Sequence, residues 1–177
     1  MTRAYCPIAL GSMDKVPGVG SALWPQPSSD HRLQSEIHSL AKWTHAVTVT
    51  FVRADRYGRP CTQHVMSSAV RHFLRVLSIK CFGRKRFDKG FRVPAAGAFG
   101  MGPSDSHPHC HLVFAAPEGM DFFGFRKLIH TAVRKTRWFD QQFRVERYYS
   151  DGWIKYLLDH QEELFFDLPR PAHPSIG

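Results

Sequence analysis

Along the chain, apolar residues recur at two periods, one close to the helical repeat and one alternating, and the switches between them mark out the elements. After the N-capping residues Ser28-Ser29-Asp30, Leu33, Ile37 and Leu40 or Ala41 share a face, which predicts a helix over about 30–41. Residues 46–52 are rich in β-branched side chains and run into the turn-forming stretch 55–60, so they read as a first strand. Val65, Met66, Ala69, Val70, Phe73, Leu74 and Leu77 repeat at helical spacing and predict an amphipathic helix over 62–79. A basic loop over 83–89 should follow, then a Gly/Ala-rich strand of weak propensity over 91–101. The turn residues 102–106 separate this strand from a compact run over 109–115, and the two should form a hairpin. Asp121 caps a predicted helix over 122–138 with Phe125, Leu128, Ile129, Ala132 and Val133 on its apolar face. A fourth strand is expected over 141–149 and a last helix from Trp153 to about Phe165.

The order βαββαβ followed by a helix implies an α+β, ferredoxin-like split βαβ fold: an antiparallel sheet with helices packed on one face and the other face available for a site. Length supports one domain: an arm over 1–42 (Gly, Pro and Ser rich, ending in the helix), the folded domain over 43–168, and a Pro-rich tail over 169–177.

Charge sharpens this picture. Lys and Arg number 24 against 15 Asp and Glu, a formal net charge of +9, which favours a polyanionic partner through counterion release. Aromatic residues make up 13% of the chain, and unpaired bases need flat rings to stack on. Basic residues with interleaved Phe82 and Phe87, namely Arg84, Lys85 and Arg86, are the candidate DNA-binding cluster; Arg126, Lys127, Arg134 and Lys135 on the next helix are a weaker one. Cys6, Cys61, Cys81 and Cys110 form no CxxC pair, which argues against a zinc ribbon or a disulfide scaffold and for a reducing compartment, cytoplasmic or, in a eukaryotic host, nuclear. No apolar run approaches the roughly 18 residues of a membrane span, and no signal peptide is expected.

The chemistry concentrates at His109 and His111. Two apart on a strand, they project from one face with bases roughly 6 to 7 Å apart, close enough to share a metal, while Cys110 points to the opposite face. Two inert surface histidines would show the same spacing, so the surrounding pattern matters. His109-Cys110-His111 within the segment 108–114 resembles the His-hydrophobic-His signature of HUH endonucleases, a superfamily that includes rolling-circle replication initiators, relaxases and single-tyrosine transposases. Residues 47–51 resemble the first-strand motif of the replication initiators, and Gly152-Trp153-Ile154-Lys155-Tyr156-Leu157-Leu158 resembles the helical segment carrying their catalytic tyrosine. The resemblance spans about 43–166.

It implies site-specific, metal-dependent nicking and joining of single-stranded DNA through a covalent 5′-phosphotyrosine, in rolling-circle replication initiation or transposition. Tyr156 is the implied nucleophile, with Tyr149 and Tyr148 as alternatives. Lys155 adjoins it as a candidate DNA contact, about 100° away round the helix. A divalent cation would neutralise the phosphate. Two imidazoles and a third ligand suit Mn²⁺ better than Mg²⁺. The chain departs from the replication initiators at Asp159, where their Tyr-x-x-Lys pattern has lysine, and in lacking Glu or His in the strand before the pair. His160, one turn beyond Tyr156, is the proposed third ligand, with Gln161, Glu146 and His107 as alternatives. No Walker A loop is present, so unwinding calls for a partner such as a host helicase. The rival readings are a noncatalytic single-stranded nucleic-acid-binding module on the same fold and a hydrolytic metalloenzyme without a covalent step.

Overall fold

The computed structural model describes residues 29–101, 107–150, 152–159 and 163–169. The elements are α1 (Ser29–Leu40), β1 (His45–Phe51), α2 (Gln63–Asp88), β2 (Ala95–Met101), β3 (Pro108–Phe114), α3 (Phe122–Arg134), β4 (Phe139–Arg147), α4 (Gly152–Asp159) and β5 (Glu163–Asp167). The five strands form one sheet in the order β4-β1-β3-β2-β5, every pair antiparallel. The α+β class and the split βαβ order expected from the sequence are both present.

Strand alternation sorts the side chains into two layers. Val47, Val49 and Phe51 of β1, Phe99 of β2, and Cys110, Leu112 and Phe114 of β3 face α2 and α3, joining Met66, Phe73, Leu77, Phe125 and Ile129 in the main core. Both helices start on side-chain caps, Thr62 accepting from the Val65 amide and Asp121 from the Gly124 amide. The other face carries a smaller core of Ala96, Ala98 and Val113 under Ile37, Ile154 and Leu157. This face, expected to be open, is therefore partly roofed by α1 and α4. The Ala and Gly residues that weaken β2 as a strand leave little bulk on it, so helices can sit close against the sheet.

Three expectations need correction. The basic stretch 83–89 is not a loop: the chain is helical through Asp88, broken only at Gly83, whose φ of 76° and ψ of 161° interrupt the helix. Beyond that break Arg84 pairs with Asp88 one turn on and Phe87 is buried, so the segment has both helix-supporting pairs and an apolar anchor. The last predicted helix, 153–165, is instead α4 followed by the edge strand β5, whose Phe165 lies against Gly97 on the neighbouring strand. The third helix also stops earlier than expected, at Arg134, where Thr136 turns its hydroxyl back to the Ala132 carbonyl.

Candidate metal and tyrosine site

Topology alone brings the last helix to the histidines. β4 and β5 lie on opposite edges of the sheet, so the chain between them must cross three strands, and it does so over the face that carries His109 and His111. Within α4, Ile154 and Leu157 are buried against that face, while Trp153 and Tyr156, each one residue earlier and so about 100° round the helix, turn toward the histidines. The Tyr156 ring stands edge-on to His111 with centroids 4.8 Å apart, and Trp153 lies 6.2 Å from both. Tyr156 is 36% exposed, so its ring reaches solvent at the rim of the site.

The two imidazoles are neighbours, with centroids 4.9 Å apart and planes at 78°. His109 Nδ1 is 3.1 Å from the His107 carbonyl oxygen. A carbonyl can only accept, so Nδ1 carries the proton and Nε2 the lone pair of the neutral ring. His111 Nδ1 is 3.0 Å from Thr48 Oγ1, its cross-strand partner on β1. A hydroxyl can donate or accept, so this contact holds the ring without fixing its tautomer; in the tautomer where Thr48 Oγ1 accepts from Nδ1–H, the lone pair sits on Nε2 as well. Metal-binding histidines are oriented in this way, one nitrogen held by an oxygen and the other presented to the cation.

Gly100 completes the seat. It pairs with His109 across β2 and β3, and a Cβ at this position would lie 2.7 Å from His109 Nε2. The imidazole thus occupies the space where any other residue would carry its side chain. Two neighbouring imidazoles, each with Nδ1 beside an oxygen of the chain, are a donor type that suits a divalent cation. Among the described residues no cluster of three His, Cys, Asp or Glu is present. His160 and Gln161, proposed as third ligand and alternative, lie outside the described residues, as does Cys6. Of the other two alternatives, Glu146 is engaged by Arg144, and His107 meets His109 through its backbone carbonyl.

Other candidates fall elsewhere. Tyr149 is 80% exposed and Tyr148 packs near His38, both just beyond the end of β4 that pairs with His45, whereas His109 pairs with Thr50 at the far end of β1. Neither is brought to the histidines. Cys110 points into the main core, where burial pushes its thiol well above the usual range; burial also raises Cys61 to about 11 and Cys81 to about 12. None of these three supplies a thiolate at neutral pH. Arg84, Lys85 and Arg86 belong to α2, in the layer opposite the histidines and at the end of the sheet away from His109, so they do not line this site. Arg126, Lys127, Arg134 and Lys135 lie on α3 in the same opposite layer. Lys155 is exposed on α4 beside Tyr156.

Sequence reasoning missed three contributors. Thr48 and Gly100 act through cross-strand register, which no local pattern reveals. Arg144 of β4 lies in the same cross-strand row as Thr48 and His111, two strands and roughly 10 Å from the latter, with its side chain 76% exposed. It pairs with Glu146 on the same strand. No helix among the described residues is long and apolar enough to cross a membrane. Neither a protein-family model, nor a curated protein, nor a solved structure matches this chain.

Proposed function

We propose that this chain nicks and rejoins single-stranded DNA, with Tyr156 as nucleophile and a divalent cation on His109 and His111. The observation that carries this reading is the juxtaposition of two imidazoles, each with Nδ1 beside an oxygen of the chain, and one partly exposed tyrosine ring 4.8 Å from the second of them. Resemblance to the HUH endonucleases supports the same assignment and points to rolling-circle replication initiation or transposition.

Mg²⁺ or Mn²⁺ bound there would supply charge neutralisation at the scissile phosphate. The remaining work falls to the chain. Thr48 and the His107 carbonyl fix the imidazoles, α4 holds the phenol at the rim, and Arg144 offers a further cation to a neighbouring phosphate. In the nicking step the Tyr156 oxygen loses its proton to solvent and bonds to phosphorus, while the bond from phosphorus to the 3′ oxygen breaks and that oxygen takes up a proton. The phosphotyrosine conserves the bond, so a 3′-hydroxyl can attack it and release the tyrosine, which is joining and not hydrolysis.

Incubation with labelled single-stranded DNA and Mn²⁺ tests the proposal. A denaturation-resistant adduct that is lost in Tyr156→Phe and on chelation is expected. DNA binding with no adduct under any metal would favour the noncatalytic binding module, and cleavage without an adduct would favour a hydrolytic metalloenzyme.

A further inference from the structure

The connection between β1 and α2 is built like a small, rigid tool. Asp55 Oδ1 accepts from the Tyr57 amide at 2.9 Å and the Arg59 amide at 3.1 Å, and Oδ2 from Arg59 Nε at 2.7 Å. The Arg59 guanidinium, helped by those amides, holds the Asp55 carboxyl at about 2. Gly58, at φ 74°, makes the turn, and the bridge Ala54–Pro60 closes it into a miniature hairpin. What this hairpin displays is unusual for an ordinary loop. Tyr57 is 66% exposed, with the Arg56 guanidinium 4.7 Å and the Arg59 guanidinium 5.5 Å from its ring centroid. Beside it lies an open cavity of about 220 Å³ lined by Val52, Ala54, Asp55, Arg56, Arg137 and Trp138.

Charge and shape together select an occupant. Arg59 and Arg137 pair with Asp55, and Arg56 donates to the Tyr57 hydroxyl at 2.6 Å, so three guanidinium groups stand against one carboxylate, a surplus of two positive charges beside an exposed aromatic ring and a partly exposed indole. An unpaired nucleotide carries the matching parts: a flat ring to stack and a phosphate to neutralise. The cavity is below the range usual for drug-sized ligands, which suits one planar ring. Position agrees. Thr50 pairs with His109, so β1 leaves the sheet at the His109 end, and the hairpin begins three residues later; Val52 donates its amide to the Trp138 carbonyl and so anchors it to the start of β4.

We infer that the hairpin of residues 53–61, with Arg137 and Trp138, is a stacking clamp for an unpaired nucleotide of the DNA strand flanking the nick. The inference rests on the proposed function for its choice of DNA as the partner, and binding can be measured apart from cutting. A fluorescein-labelled oligothymidylate titrated with the full chain in chelator, by anisotropy at several salt concentrations, reads it directly. Tyr57→Ala should weaken binding roughly five- to a hundred-fold with the salt slope unchanged, because it removes a stacking surface. Arg56→Ala should reduce the salt slope by about one. Thermal unfolding of both variants should match the parent, since both side chains are exposed. Loss of binding in Tyr57→Ala without any covalent adduct in the parent would keep the clamp and remove the nuclease. An adduct formed by the parent with affinity unmoved in both variants would remove the clamp and keep the nuclease. A Tyr57→Ala loss that is equal on duplex and single-stranded DNA would also overturn the clamp, since paired bases offer no face to stack on.

Discussion

At the scale of single residues, the site depends on small groups as much as on reactive ones. Gly100 leaves open the volume that the His109 ring fills, and Thr48 meets Nδ1 of His111. Gly100→Ala must displace an imidazole whose Nε2 would sit 2.7 Å from the new carbon, so Mn²⁺ affinity measured by calorimetric titration should fall roughly 10- to 100-fold. Thr48→Val, which keeps the shape and removes the hydroxyl, should lower it in the same range. Unchanged Mn²⁺ affinity in both variants would mean that the two supports do not matter to metal binding. The histidine pair stands out in the sequence through strand alternation, and Tyr156 through the resemblance of its segment to a short family motif. Thr48 and Gly100 do not, since their roles exist only once β1, β2 and β3 are in register.

At the scale of elements, what the sequence concealed is the C-terminal quarter. The helical spacing of Trp153, Ile154, Leu157 and Leu158 does not mark where the helix ends, and nothing local says that Phe165 and Phe166 will pair with β2, where Gly97 lets the Phe165 ring lie across the strand. The basic stretch after Gly83 misleads for the opposite reason, because its charges resemble a loop while Phe87 anchors it as helix. One junction between elements carries a titratable group. Buried His45 joins β1 to the start of α3, Nε2–H donating to the Phe122 carbonyl, and the ring stacks on Phe122. Burial, together with the nearby Arg147, holds its pKa below the ordinary 6.5. The unfolded chain therefore binds the proton more readily, and this contribution to stability is present above 6.5 and is lost as the pH falls below it. His130, lowered by burial and by Arg126 and Arg134, acts in the same direction. The melting temperature should decline between neutrality and about pH 5, ahead of the carboxylates, and the decline should be shallower in His45→Gln. A flat profile in the parent over that range would contradict this account.

At the scale of the whole molecule, the sheet divides the protein into two layers, each with its own core. α2 and α3 close the main core, while α1 and α4 cover part of the other face. Arg84 and Lys85 lie on the far layer, so replacing both with alanine should leave adduct formation within about two-fold, whereas Arg144→Ala should weaken binding of single-stranded DNA and reduce its salt slope by about one. Equal effects from both changes would argue for a diffuse electrostatic surface in place of a located site. The central claim concerns which atom bonds to DNA, and the chain's own lysines and arginines make that measurable. Tryptic cleavage after Arg147 and Lys155 puts Tyr148 and Tyr149 on one peptide and Tyr156 at the head of the next. Mass spectrometry of the Mn²⁺-dependent adduct, after nuclease trimming and trypsin, should find the nucleotide on the peptide that begins with Tyr156; a nucleotide on the Tyr148–Lys155 peptide, or on none, would contradict the account.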